Sequence, residues 1–382
     1  MELGSAAAAP GELARGWFDV ADLPTGAPER LPVVVANGAR EGPTLWLTGG
    51  VHGDEATGIT VVQDAMATLD DEDLLAELSG AVVAVPVVSP AGLRRNARHT
   101  YYDDEDPNRH FPDTDHESAR PPNLQERIDR RLYDAIVGEH AAVSADATAD
   151  ALVDCHTAGV GSEPFVIRDR VLYGDRRDEA DAETLADDLA ALAEAFGFPV
   201  LTEYPAAEYV EENLQRSAAG AVLNEAGIPA VTVELGAHSV VDERLRAGGV
   251  AGVFGVGVEL GLLETADVPD AVGRPEEYVG PAPVAFPVRR FRGPATDTAG
   301  LVRHRVDAGE PFTAGDVVAD VVDPTGAPLD TVTVDHDGYV IGRAEGLAAY
   351  EGDAVTSLAV RDEGELVVPR EGVDDDGDGE RD

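Results

Sequence analysis

Lysine is absent from this chain: all 28 basic residues are arginine. The absence excludes biotin or lipoate attachment, a pyridoxal Schiff base and a P-loop, each of which needs a lysine amine. Cysteine is nearly absent too. Cys155 stands alone, so no intramolecular disulfide can form and a reducing, cytoplasmic setting is expected. Positive charge is scarce beside 74 acidic residues, and the net charge of −46 opposes binding to nucleic acid or an anionic membrane, because both require clustered cations. No apolar run approaches a membrane span. The small Ala6–Ala9 stretch has no basic residue before it, so no export signal is expected. The acids are spread along the whole chain, as in a protein kept soluble by concentrated salt, where a Debye length of about 3 Å screens self-repulsion. A halophilic origin is therefore expected.

At 382 residues the chain can bury a full core and hold two domains. Its most informative stretch is Gly49 to Gly58, where the apolar run Thr44–Thr48 meets a glycine turn and a helical pattern begins at Ile59. His52 and Glu55 would project from the carboxyl end of a central strand, the edge at which open α/β sheets place ligands. Alone, such a pair is more often a helix cap and a solvated side chain than a metal site. Hydrolytic zinc sites commonly take two His and one Glu and leave a position for water, so a second His is needed. His156 closes the apolar run Leu152–Cys155, whereas His99, His110, His116, His140, His238, His304 and His336 lie in polar or loop-like stretches. Cys155 alternates with His156 on that strand, which points its thiol away from the site and into packing.

A third strand, Ala230–Val233, ends in Glu234, which would bring a second carboxylate to the same edge. Beside an activated water it could serve as general base, and it could equally be a cap or an ion-pair partner. Between these segments Arg94 to Arg109 is the densest arginine cluster. Asn108-Arg109 is suited to clamp a carboxylate through paired hydrogen bonds, while Arg94 and Arg95 are expected only to neutralise Asp103 to Asp106.

Taken together and in this order, Gly50-Val51-His52-Gly53-Asp54-Glu55, Asp106-Pro107-Asn108-Arg109, Asp154-Cys155-His156-Thr157 and Glu234-Leu235-Gly236 resemble the succinylglutamate desuccinylase and aspartoacylase family, relatives of the zinc carboxypeptidases. The resemblance spans roughly residues 30 to 362. It implies one zinc per chain on His52, Glu55 and His156, a substrate carboxylate held by Asn108 and Arg109, Glu234 as the group that activates water, and Arg98 as the arginine that polarises the scissile carbonyl. The chain departs from the family where Asp-Pro replaces the usual Asp-Leu before Asn-Arg and where Arg98-His99 replaces an Arg-Tyr pair.

The expected fold is α/β, a mostly parallel sheet covered by helices on both faces, with a smaller C-terminal all-β domain resembling a barrel-sandwich. Residues 1–30 form an N-terminal extension, 31–268 the zinc-hydrolase domain, 281–362 the β domain and 363–382 an acidic disordered tail. Asp181–Leu192 is the clearest amphipathic helix, with Leu185, Leu189 and Leu192 on one side. Lacking lysine, the β domain is expected to act as a lid or an oligomerisation surface, and a homo-oligomer stays open. The expected function is zinc-dependent hydrolysis of a linear amide, removing an N-acyl group from a small N-acyl amino acid or related carboxylate. Two alternatives stay open: a metallocarboxypeptidase acting on peptides, and a non-catalytic module that binds a metabolite.

Overall fold

In the computed structural model, which describes residues 1–70, 72–102, 105–113 and 121–370, the principal elements alternate along the first two thirds of the chain. They are β1 (Glu12–Asp22), β2 (Pro28–Asn37), β3 (Arg40–Gly49), α1 (Ala56–Leu69), β4 (Ser79–Val85), α2 (Leu124–Ile136), β5 (Ala151–Ala158), β6 (Phe165–Arg168), α3 (Glu179–Phe196), β7 (Val200–Thr202), β8 (Ala230–Ala237) and α4 (Glu243–Glu259). The three strand runs predicted to deliver the site, Thr44–Thr48, Leu152–Thr157 and Ala230–Val233, lie inside β3, β5 and β8.

The heart of the sheet is parallel, in the order β4–β3–β5–β8. Its strands are nearly unbroken apolar runs because helices cover both faces. Helices α1, α3 and α4 pack together over one face, and α2 and the short helix Ala218–Ala221 lie against the other. The sheet extends outward through antiparallel pairs: β2 on β4 and β1 on β2 at one side, β6 on β8 at the other. Residues 12–22, read from sequence as part of an extension, thus form the edge strand of the sheet itself. Helix α3 confirms the amphipathic reading: Asp178 caps it by accepting the Asp181 N–H at 2.9 Å, its leucines are buried, and Gly197 ends it in the left-handed region.

The C-terminal third is β-rich, with β9 (Val288–Arg292), β10 (Gly300–His304), β11 (Pro311–Phe312), β12 (Val317–Val322), β13 (Pro328–Thr333), β14 (Gly338–Arg343) and β15 (Thr356–Arg361). It has its own core around Val302, Val318, Val321, Val340 and Leu358. It is also continuous with the large sheet. β7 pairs with β6 in parallel, β9 joins β7 through the single pair Thr202 with Arg289, and β15, β14 and β11 follow antiparallel. An apolar seam of Phe165, Leu201, Val288 and Ile341 fills the junction. Val367–Pro369 then returns to pair with Val171–Tyr173, so the first residues of the expected tail are bound to the α/β portion. Residues 371–382, the rest of that acidic stretch, lie outside the described residues. Among the described residues no helix is long and apolar enough to cross a membrane.

Candidate metal centre and substrate cavity

The loop after β3 is shaped by glycine. Gly50 turns the chain at φ +61°, and at Gly53 an added Cβ would lie 1.9 Å from the Gly92 carbonyl carbon, so only glycine lets this loop rest on the turn Pro90–Leu93. Helix α1 begins directly after Glu55, whose side chain makes no capping hydrogen bond and points into the site instead. His156 on β5 and Glu234 on β8 stand side by side in register.

His52, Glu55 and His156 are buried, and their donor atoms lie within 4.8 Å of one another. Both rings turn Nδ1 toward the same carboxylate, His52 at 2.8 Å from Glu55 Oε1 and His156 at 2.8 Å from Glu55 Oε2. On the outer side, His52 Nε2 is 3.0 Å from Asp106 Oδ1 and His156 Nε2 is 2.7 Å from Asp154 Oδ2. Asp154 is fixed in turn by the Thr48 hydroxyl, which donates to its other oxygen at 2.6 Å. Ionised carboxylates only accept, so each Nε2 donates to its outer carboxylate, and each Nδ1, which faces Glu55, would turn a lone pair to a metal ion held there. Arg98 Nη1, which can only donate, approaches the same His52 Nδ1 at 3.3 Å.

The two Nδ1 atoms and the Glu55 oxygens therefore converge on one point. Glu55 Oε2 is buried there without a well-formed hydrogen bond. Burial opposes ionisation of Glu55, yet the two imidazoles outweigh it and hold its carboxyl well below the usual range. Burial likewise opposes a charge on His156, and Asp154 and Glu55 together pull it well above the ordinary imidazole value. The field at this point demands positive charge, and a donor set of two His and one Glu fits a zinc ion.

Glu234 faces the triad with one carboxylate oxygen buried and unbonded. Burial, then the Glu55 charge, pushes its carboxyl up, against the opposing pull of His156, Arg290 and Arg98. Arg98 sits at the mouth, its Nη2 donating to Asp106 Oδ2 at 2.8 Å. Asn108 and Arg109 share with the triad an inner chamber of about 80 Å³. Asn108 Oδ1 accepts the Ala218 N–H at 2.8 Å, and Arg109 is anchored on the Asn108 and Glu212 carbonyls at 2.8 and 3.1 Å. All seven residues singled out from sequence thus gather around one centre.

Other participants escaped the sequence reading. Asp154 lies two residues before His156 on a strand and shares its face, a spacing that could have flagged it. Arg290, Glu203 and Asp169 also line the inner chamber, but Asp169 and Glu203 directly follow the short strands β6 and β7 and Arg290 lies in β9 of the C-terminal region, none of which carries a pattern pointing to a site. Arg94, expected to neutralise Asp103 to Asp106, instead pairs with buried Glu29 at 2.8 Å. Asp103 and Asp104 lie outside the described residues, as does His116. Cys155 is buried on the face opposite His156, and burial, followed by the Asp154 charge, pushes its thiol well up. The chamber opens into a cavity of about 1080 Å³, walled on the C-terminal side by Arg290, Arg292, His304, Arg343 and Glu345.

The chain matches the family model described as the succinylglutamate desuccinylase/aspartoacylase catalytic domain over residues 41–258. It is 27% identical over 337 residues to the N-alpha-acetyl-L-2,4-diaminobutyric acid deacetylase of Halomonas elongata, covering 86% of this chain and 85% of that one. Among solved structures, the succinylglutamate desuccinylase/aspartoacylase of Rhodobacter sphaeroides superposes with a TM-score of 0.70 at 23% identity, over 92% of this chain and 96% of that one. The product-bound ectoine utilization protein EutE (DoeB) of Ruegeria pomeroyi superposes with a TM-score of 0.68 at 20% identity, over 91% and 95%. At these identities the structural likenesses speak to the fold.

Proposed function

The chain belongs to the succinylglutamate desuccinylase/aspartoacylase family, and from that membership we propose that it is a zinc-dependent amidohydrolase that removes an acyl group from an N-acyl amino acid. The observation that carries the proposal is the convergence of His52, Glu55 and His156 with Glu234 on the neighbouring strand. The name of the Halomonas elongata relative supports a short acyl group on an α-amino acid. A zinc ion held by the triad would supply Lewis acidity and lower the pKa of a bound water to about 7.

The remaining work falls to the chain's own residues. Glu234, which faces the triad with one oxygen free of any hydrogen bond, takes the proton of the attacking water and returns it to the leaving amine nitrogen. Arg98 donates toward the carbonyl oxygen as negative charge develops there. Asn108 and Arg109 hold the substrate carboxylate and so fix which amide is cut. The cavity wall contributed by the C-terminal region favours a small substrate over a peptide chain.

The test is a metal analysis followed by a hydrolysis screen of N-acetyl, N-succinyl and N-aspartyl amino acids against C-terminally free and blocked peptides, in high salt. About one zinc per chain with turnover confined to the amino acid amides is expected. Turnover on peptides alone would make the protein a carboxypeptidase, and stoichiometric metal without any turnover would make it a binding module.

A further inference from the structure

The floor of the inner chamber follows from strand register. Phe165 stands opposite Glu234 and Ile167 opposite Thr232, so residue 169, two steps further on, continues the face that carries the site. Arg168 pairs with Thr202, which sets Asp169 beside Glu203; Thr202 pairs with Arg289, which sets Glu203 beside Arg290. Asp169, Glu203 and Arg290 therefore form one row beneath the metal centre, and all three line the chamber.

The row is unevenly satisfied. Glu203 is held by Arg290, whose Nη1 lies 2.6 and 3.0 Å from its two oxygens. Asp169 is only 5% exposed, and among the described residues its carboxyl makes no hydrogen bond and no ion pair. Burial, reinforced by the Glu203 charge, pushes its carboxyl well above the usual range, against the weaker pull of Arg290 and Arg109. A buried carboxyl without a partner costs folding free energy that a ligand bringing donors would recover.

We propose that Asp169 is a specificity-determining residue that accepts a side-chain ammonium group of the substrate, so that the enzyme prefers N-acyl derivatives of short diamino acids. The inference rests on the function proposed above. With the substrate carboxylate on Asn108 and Arg109, the amine half of the substrate enters the chamber and its side chain points to the floor. The chamber, at about 80 Å³ beside about 1080 Å³ for the outer cavity, suits a short side chain better than a long one. Arg290 already neutralises Glu203, so an acidic side chain would add a further carboxylate beside Asp169. A neutral side chain would leave Asp169 unpartnered.

The test compares N-acetyl-2,4-diaminobutyrate with N-acetyl-2-aminobutyrate, which lacks the terminal nitrogen, for wild type and Asp169→Asn in one buffer. Wild type is expected to favour the diamino substrate at least tenfold in kcat/KM, and Asp169→Asn to lower that ratio at least tenfold. A purely structural role for Asp169 would lower both rates and leave the ratio unchanged, which would overturn the proposal. Calorimetric binding of free 2,4-diaminobutyrate and 2-aminobutyrate supplies a readout independent of turnover: the same preference, lost in Asp169→Asn, is expected. Hydrolysis with a preference for neutral or acidic side chains would sink this inference and leave the general function standing. Should no N-acyl amino acid be cleaved, the general function falls and the binding comparison still decides the role of Asp169.

Discussion

His156 is set from two directions at once, by Asp154 behind it and Glu55 in front, and its strand position decides which nitrogen faces inward. Removing the ring removes one of the three proposed ligands. His156→Ala is expected to drop bound zinc from about one per chain to a small fraction, read by elemental analysis after dialysis. Full occupancy in that variant would move the ligand set elsewhere. Glu234→Gln keeps size and hydrogen bonding but removes the proposed base, so turnover is expected to fall by about a hundredfold or more with metal content unchanged. Near-normal turnover would transfer the base role to another group. These residues were legible in the sequence because each ends an apolar run, and the end of a buried strand is one of the few places where a lone polar side chain is conspicuous. Asp169 and Arg290 were not, because they flank or occupy short strands whose burial comes from the C-terminal region packing over them.

At the scale of elements, two contacts hold the site in shape. Helix α1 rests on β5 so closely that a Cβ at Gly58 would lie 2.4 Å from the Cys155 carbonyl oxygen, one residue before His156. Gly58→Ala must push helix and strand apart, and a loss of about 1–3 kcal/mol in denaturant-measured stability is expected, with weakened zinc retention. Unchanged stability would show that the helix can shift freely. On the opposite wall, Glu345 of the C-terminal region accepts the Val160 N–H at 2.8 Å and lies 2.8 Å from His238 Nε2, bridging two loops of the α/β portion. The Val160 hydrogen bond, aided by His238 against a partial burial cost, holds the Glu345 carboxyl below its usual range. A depressed carboxyl stabilises the closed bridge above the unfolded value of about 4.3, and that support is lost as pH falls through the lower folded value. Val160 amide exchange, corrected for intrinsic rate, should therefore accelerate on acidification below about pH 4, and Glu345→Ala should show the same acceleration at neutral pH. Protection that ignores both changes would mean that the bridge is not what closes this wall. The parallel heart could be read from sequence because alternating apolar strands and amphipathic helices leave one economical arrangement. The union of β9 with β7 could not, since a single residue pair makes it and long-range pairing leaves no local signature.

The molecule as a whole carries a net charge of −46 with no lysine, and its arginines are drawn into ion pairs such as Arg15 with Asp70, Arg30 with Asp19 and Arg170 with Asp362. What remains is an excess of unneutralised acid on exposed faces. Helix α3 illustrates it, since Glu179, Asp181, Glu183, Asp187, Asp188 and Glu194 all face solvent and no basic residue occupies its last turn. In dilute buffer these charges repel over about 30 Å at 0.01 M salt, whereas at 1 M the range shrinks to about 3 Å, less than the spacing of neighbouring side chains. Folding concentrates the charges, so the native state gains more from screening than the extended chain does. Melting temperature is therefore expected to rise with KCl from dilute buffer into the molar range. Salts that strengthen apolar burial would raise it as well, so KCl and potassium sulfate should be compared at equal ionic strength. If screening dominates, the two curves coincide at low ionic strength and separate only above it, where the excluded anion adds its own effect. A melting temperature that stays flat or falls between dilute buffer and molar KCl would refute the halophilic assignment, and the acidic surface would then need an explanation other than salt.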